Sequence, residues 1–343
     1  MRVAYCLLSV CLLASCSSVS YVGIDTYNPA EITFPKSVGK ILVVNNAVPL
    51  PDDVGCEFSL FGDKVDTCKV KADSALFDVC RGLGRSMADM SYFNDVLLYH
   101  DAVRKDDVYY EDKKLTQDQV QALCDETGSD AVISLDRMLF ESKKNVVAFA
   151  EGYVEGEIQV KMSGVVRGYL PNRPNPLATV YVADSLFFME DAPNLILLDR
   201  YLPSSENALR ASAEYIGAKA SPNFVPHWNS ETRWYYNAMG SRWKEASAYA
   251  QSEKWDKAAE HWMHLYEKSS SPKAKAKAAS NLALGNEMKT NLDEAYEWAN
   301  KSYELFKKSE GEDGKNTKLL ALYVEVLRNR IRSDKKLNMQ FGE

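Results

Sequence analysis

Histidine and cysteine are scarce in this 343-residue chain, which has four His and seven Cys. So few cysteines exclude a small disulfide scaffold, and four histidines are few for an enzyme to draw on. Surplus positive charge is also missing: 41 Lys and Arg against 48 Asp and Glu leave a net charge of −7. A general nucleic-acid binder needs a basic face to displace counterions from phosphate, so that class is excluded. Beyond the first sixteen residues no apolar run approaches 18 residues, so no later segment is expected to span a membrane as a helix. There is no P-loop, His-Glu-x-x-His, Gly-x-Ser-x-Gly or kinase signature. What the chain does have is 46% apolar residues and length for about two domains, which excludes a disordered tail or a collagen-like chain.

The amino terminus reads as an export signal. Arg2 is followed by an apolar core from Val3 to Ala14, broken only by Ser9 and too short to span a bilayer. The core ends in Leu13-Ala14-Ser15-Cys16, which resembles the lipobox of bacterial lipoproteins; the alternative is an ordinary small-residue cleavage site with an incidental Cys. The resemblance implies cleavage before Cys16, a diacylglycerol on its thiol and acyl chains enough to hold the protein on a membrane. Residues 1–15 are then signal and 16–35 a lipidated tether. In lipoproteins of the Bacteroidota, surface display goes with acidic residues just after the Cys. Here Ser17-Ser-Val-Ser-Tyr21 follows, which implies an outer-membrane anchor facing the periplasm.

Four cysteines remain. Cys56 and Cys68 flank a turn at Phe61 to Lys64, and a hairpin there would bring the thiols together; a bridge closing that loop contributes on the order of 3 kcal/mol. Cys80 and Cys124 fall on apolar helix faces and read as buried unpaired thiols.

Composition divides the chain near 200–226. All six Trp lie after position 226. Residues 227–343 carry 20 Lys and Arg against 17 Asp and Glu, while residues 16–226 carry 20 against 31. The first region, 36–200, alternates strand and helix signals. Lys40 to Val44 is a β-branched run, Asp73 to Met90 has helical spacing, and Val96 to Tyr99 is a short strand. Thr116-Gln-Asp-Gln119 is a capping box opening a helix that closes at Gly128, and three strands follow over Ala131 to Phe140, Tyr153 to Leu170 and Leu177 to Met189. The expectation is an α+β domain, a mixed sheet with both helices on one face. Its order, with the Gly128-Ser-Asp-Ala131 passage, resembles the amino-terminal domain of TolB and the periplasmic domain of the curli-export pore subunit.

Residues 201–343 read as all-α, with candidate helices at Ala208 to Ala220 and from Glu231 to Met239. Trp255-Asp-Lys-Ala258-Ala-Glu-His-Trp262 aligns with Leu292-Asp-Glu-Ala295-Tyr-Glu-Trp298-Ala299 at an offset of 37, with Ala246 and Tyr249 upstream of one and Leu282 and Ala283 upstream of the other. This resembles the tetratricopeptide repeat, without its Trp-Leu-Gly triplet and with flanking segments 208–239 and 315–332 expected as caps. Together with Asn281-Leu-Ala-Leu-Gly-Asn-Glu287, these features resemble a Bacteroidota lipoprotein group described as tetratricopeptide-repeat proteins with a domain of unknown function. The resemblance brings no catalytic residue or cofactor.

Each chemical candidate has a plainer alternative. His261 and His264 are one turn apart and could share a metal, but two ligands do not make a site; an amphipathic repeat helix is favoured. His100-Asp101 follows a strand without a nucleophile to serve. Gly82-Leu-Gly84 lies within a helical pattern and reads as close helix packing rather than a dinucleotide loop. The acidic groups at Asp101 to Asp112 and Glu310 to Asp313 lack EF-hand spacing. Arg328, Arg330, Arg332, Lys335 and Lys336 could meet lipid headgroups or simply offset a helix dipole. The chain is therefore expected to be a non-enzymatic, membrane-anchored interaction module with an unidentified protein partner. Trp228, Trp234, Tyr235 and Tyr236 are its candidate docking residues, with core packing as their alternative. The competing expectation is an oligomeric component of an envelope secretion or assembly complex, for which Val146 to Gly152 is the one short apolar hairpin.

Overall fold

In the computed structural model, residues 19–50, 54–70, 73–104, 107–109 and 111–342 are described, with backbone alone at 54, 56, 64–70 and 73. They divide into two units. Strand β1 (Val19–Asn28) belongs with Trp228–Lys336, and Pro29–His227 forms the other unit with the residues from Leu337 on. The stretch expected as a tether thus contains a strand, and 201–227, expected with the repeats, belongs to the α/β unit.

That unit is built around β2 (Lys40–Asn45), whose residues from Ile41 on are all buried. An unbroken apolar run of this kind marks a strand covered on both faces. A hairpin of β3 (Val54–Leu60) and β4 (Asp63–Val70) follows, turning at Phe61 and Gly62, both with positive φ, as a two-residue hairpin turn requires. Its backbone register sets Cys56 opposite Cys68, the placement a cross-strand disulfide needs. Then come α1 (Asp73–Asp89), β5 (Asp95–Ala102), α2 (Gln117–Thr127), β6 (Ala131–Ala148), β7 (Val154–Tyr169), β8 (Ala178–Ala192), α3 (Leu195–Tyr201) and α4 (Ser205–Ala220). The capping box on α2 is formed, with Gln119 N–H donating to Thr116 Oγ1 at 3.3 Å and Thr116 N–H to Gln119 Oε1 at 2.9 Å. Gly128 closes the helix at φ 62°.

The sheet runs β4-β3-β6-β2-β5, with β7 and β8 continuing from β6. One edge of β6 pairs in parallel first with β2 and then with β3, and the other pairs antiparallel with β7 along its length. The helices do not share a face, which corrects the sequence expectation. Ile41 and Val43 pack under α1 and α4, while Leu42 and Val44 pack under α2. Alternation along a doubly buried strand demands cover on both sides.

A β-bulge at Asp136 breaks the β6–β7 register between Leu135 and Arg137. It reverses the side-chain phase, so that Ile133 and Leu135 before it and Met138 and Phe140 after it all reach the α1/α4 core. Asp136 is left buried on the α2 side. It accepts from Ser134 Oγ (2.6 Å), Asn46 Nδ2 (3.0 Å), Tyr169 Oη (2.8 Å) and Arg167 (2.6 Å). Arg167 also grips Asp112 through both terminal nitrogens and holds that carboxyl below its ordinary pKa.

The second unit pairs β1 with β9 (His227–Tyr236). Ser20 bonds Asn237 and Asp25 bonds Ser230, which makes the pair antiparallel. A helix was expected from Glu231; the segment is instead a strand, held by its pairing with β1. Five helices follow: α5 (Ser241–Gln251), α6 (Trp255–Lys268), α7 (Pro272–Glu287), α8 (Leu292–Glu310) and α9 (Lys315–Phe341). The turn between α5 and α6 recurs 37 residues later between α7 and α8. Glu253 and Thr290 have φ 58° and 62°, and Lys254 and Asn291 follow with near-identical torsions. Ala246 and Ala283, Ala258 and Ala295, and Trp262 and Ala299 are all fully buried. No helix among the described residues is long and apolar enough to cross a membrane.

Helices α1 and α4 cross at two glycines. A Cβ on Gly217 would sit 2.0 Å from the Val79 carbonyl oxygen, and one on Gly82 2.1 Å from that of Glu214. The contact is backbone to backbone, so no side chain can yield. Gly217→Ala is expected to destabilise the α/β unit by about 3 kcal/mol, read as a lower urea midpoint at constant m.

Candidate interaction surfaces

Helix α7 is rich in small residues and is buried around most of its circumference, which lets neighbouring helices close in on it. Trp262 fills the space beside Gly285, whose imagined Cβ would lie 3.4 Å from the indole. Two polar side chains of α7 face β9. Asn281 accepts the Tyr236 N–H at 2.7 Å and donates to the Tyr236 carbonyl at 2.8 Å, standing in for a neighbouring strand. One turn and a half later Glu287, also fully buried, accepts from Arg233 Nε on both oxygens (3.0 and 3.1 Å), from Arg330 at 2.5 Å and from the Tyr323 hydroxyl at 2.6 Å.

The charges of this cluster are balanced. Arg233 also meets Glu231 at 2.7 Å, so two guanidinium groups face two carboxylates. Burial acts to lower the Arg233 pKa, but Glu287 and Glu231 outweigh it and the net direction is upward. Burial, reinforced by Glu287, pushes the Tyr323 hydroxyl far above its ordinary range. The cluster lies in the interior and fastens β9 to α7 and α9.

That fastening decides what the four candidate docking aromatics can do. Tyr235 and Tyr236 are each 2% exposed. Tyr235 packs 6.1 Å from Trp262 and Tyr236 5.8 Å from Phe306; the Tyr236 hydroxyl donates to Asn316, and burial raises its pKa to about 12. Both are core residues here. Trp234 is half-buried, 5.2 Å from Tyr323. Trp228, 65% exposed beside Tyr27, is the one of the four with an open face.

An open groove of about 700 Å³ lies instead across α6, α7 and α8. Met263, Leu282 and Trp298 give it an apolar floor, and Asp256, Glu260, Glu267 and Glu294 line it with carboxylates. Lys289 is its one lysine and is paired with Asp256 at 2.9 Å. Such a surface has a hydrophobic seat and an unbalanced negative rim.

Residues 38–236 match the family model described as Domain of unknown function (DUF8603). The chain belongs to the DUF8603 family. The matched span covers the α/β unit from β2 onward and ends on Tyr236, the last residue of β9. A second model, Domain of unknown function (DUF6340), matches residues 244–329, from α5 into α9. No curated protein matches the chain.

The other sequence candidates are dispersed. His264 lines the groove, whereas His261 lies against the Tyr249 ring with Glu245 3.5 Å away. Among the described residues no three His, Cys, Asp or Glu gather as a metal site. His100 and Asp101 approach to 3.3 Å, both largely exposed at the end of β5. Asp107 is held well below its ordinary pKa, first by the Val108 N–H and then by Lys113 and Arg104. Glu310 pairs with Lys273, Glu312 with Lys307 and Asp313 with Lys318. Cys80 and Cys124 are buried and unpaired; Cys16 lies outside the described residues. Val146 anchors a small apolar cluster, and at the hairpin tip beyond it Phe149 stacks on Tyr153 at 4.7 Å.

Sequence reasoning missed Arg233 and placed Arg330 in a basic surface run. The sequence shows a lone arginine in an aromatic strand and a single acidic residue in α7, with nothing local to pair them. Glu287→Gln leaves two guanidinium groups facing a neutral amide and is expected to cost about 3–5 kcal/mol. Asn281→Ala strands one buried N–H and one carbonyl and should cost less, about 2–3 kcal/mol. Urea unfolding of both variants checks the order.

Proposed function

We propose that this DUF8603 protein is a lipoprotein held through Cys16 on the periplasmic face of the outer membrane and that it serves as a protein-binding scaffold. In this reading α5–α6 and α7–α8 are two tetratricopeptide-like hairpins, with α9 capping the stack. The 37-residue recurrence of the αL turn, of the buried alanines and of the starts of α6 and α8 supports the repeat reading. The inner aromatic face is already taken by the chain's own β9, so the docking surface is the outer groove on α6, α7 and α8.

The observation that carries this reading is the lining of that groove: four carboxylates around an apolar floor that includes Trp298, with one lysine. Complementarity favours a partner segment carrying Lys or Arg beside an apolar anchor, the charges setting register and the indole providing area. Peptide display on the purified chain should enrich basic-apolar segments, and Glu260→Lys with Glu294→Lys should weaken their binding at least tenfold. Enrichment of acidic or purely polar peptides would refute the assignment. Replacing Cys16 by Ala should move the protein out of the membrane pellet, as judged by flotation.

One observation favours the assembly reading. Tyr181, Phe187 and Met189 are exposed along β8, a long strand that among the described residues pairs on one edge only, the arrangement through which sheets join. Light scattering of the detergent-solubilised protein separates the two: a defined oligomer dissociated by Phe187→Lys supports assembly, and a monomer excludes it.

A further inference from the structure

The start of β1 adjoins a partly open pocket of about 300 Å³ within the helical unit. Val19, Tyr21 and Trp234 line it together with Lys277, Lys315 and Asn316. Neighbouring carboxylates are engaged elsewhere: Glu310 by Lys273 and Asn316, and Asp313 by Lys318. Lys277 instead lies 5.7 Å from the Tyr236 ring centroid. Lys315 begins the 27-residue α9, whose positive dipole end adds to the field. Trp234 sets its indole beside the Tyr236 hydroxyl, and Tyr21 is 74% exposed.

Position in the chain gives this pocket its meaning. Ser17 and Ser18 are all that separate Cys16 from Val19, and three residue steps reach at most about 11 Å. A diacylglycerol on Cys16 would therefore hold the mouth of the pocket at headgroup depth, where Tyr and Trp settle and basic side chains meet phosphate. We infer that the pocket binds the phosphate of an anionic phospholipid headgroup in the leaflet that carries the Cys16 acyl chains, so that the anchor and the pocket fix the helical unit on the bilayer together. This inference rests on the lipoprotein reading for its geometry, and the pocket can be tested without it.

Full-length protein in detergent is titrated with dihexanoyl phosphatidylglycerol below its micellar concentration, with dihexanoyl phosphatidylcholine and with inorganic phosphate. Phosphatidylglycerol should bind in preference to phosphatidylcholine. The double variant Lys277→Glu, Lys315→Glu should bind it at least thirtyfold more weakly, since loss of each near-surface positive charge alone costs roughly a factor of five. The neutral pair Lys277→Gln, Lys315→Gln, with an unchanged melting temperature, guards against a folding defect. Equal binding of the two lipids, or unchanged binding in both double variants, would overturn the pocket; so would inorganic phosphate competing as well as the lipid, which would make it a free-phosphate site. Intact mass of the amino-terminal peptide reads the anchor separately: an unmodified Cys16 with phosphatidylglycerol binding retained overturns the lipoprotein reading and supports the pocket.

Discussion

A single buried carboxylate organises the helical unit. Glu287 on α7 joins Arg233 to Arg330, and Glu231 gives Arg233 a second carboxylate at 2.7 Å. Two charges taken out of water are tolerated only where geometry and hydrogen bonding are nearly complete. That requirement fixes where β9 lies along α7, because Asn281 reads the Tyr236 backbone while Glu287 reads the Arg233 side chain. Apolar packing alone would allow β9 to slide by two residues at little cost; the paired polar contacts do not. The burial of Tyr235 and Tyr236 then follows, and so does the closure of the inner face.

The α/β unit follows similar logic with a different device. There the constraint is a bulge, and the polar network around Asp136 occupies the point where the strand changes phase. Arg167 and Tyr169 on β7, Ser134 on β6 and Asn46 after β2 converge on one carboxylate, while Arg167 ties in the loop at Asp112. In both units a buried acid with a full set of donors stands where register must not vary. This is a role in specificity more than in net stability.

Local chemistry made much of the α/β unit readable in advance. The Thr116–Gln119 capping box, Gly128, the run at Lys40 to Val44 and the strand-rich stretch from Ala131 all correspond to elements. The face on which α1 and α2 pack was readable too, since an uninterrupted Ile-Leu-Val-Val run has two apolar sides; it was read as one. The segment from Glu231 failed because an aromatic run can satisfy either helical or strand spacing over so few residues, and only its pairing with β1, some two hundred residues away, decides between them. The same distance hid Arg233. Its partner is specified by tertiary packing, and no local pattern in Trp234-Tyr-Tyr236 announces it.

The pairing of β1 with β9 has a consequence for the order of events in the cell. Thr26 bonds Asn229 across 203 positions, so β1 has no mate until about two thirds of the polypeptide has been made. Closing so long a loop adds only modest entropy beyond a shorter one, but it delays the pairing, and α5 to α9 still follow β9 in the chain. Until then β1 is a strand without its mate, and the aromatic face of β9 has nothing to close it from that side.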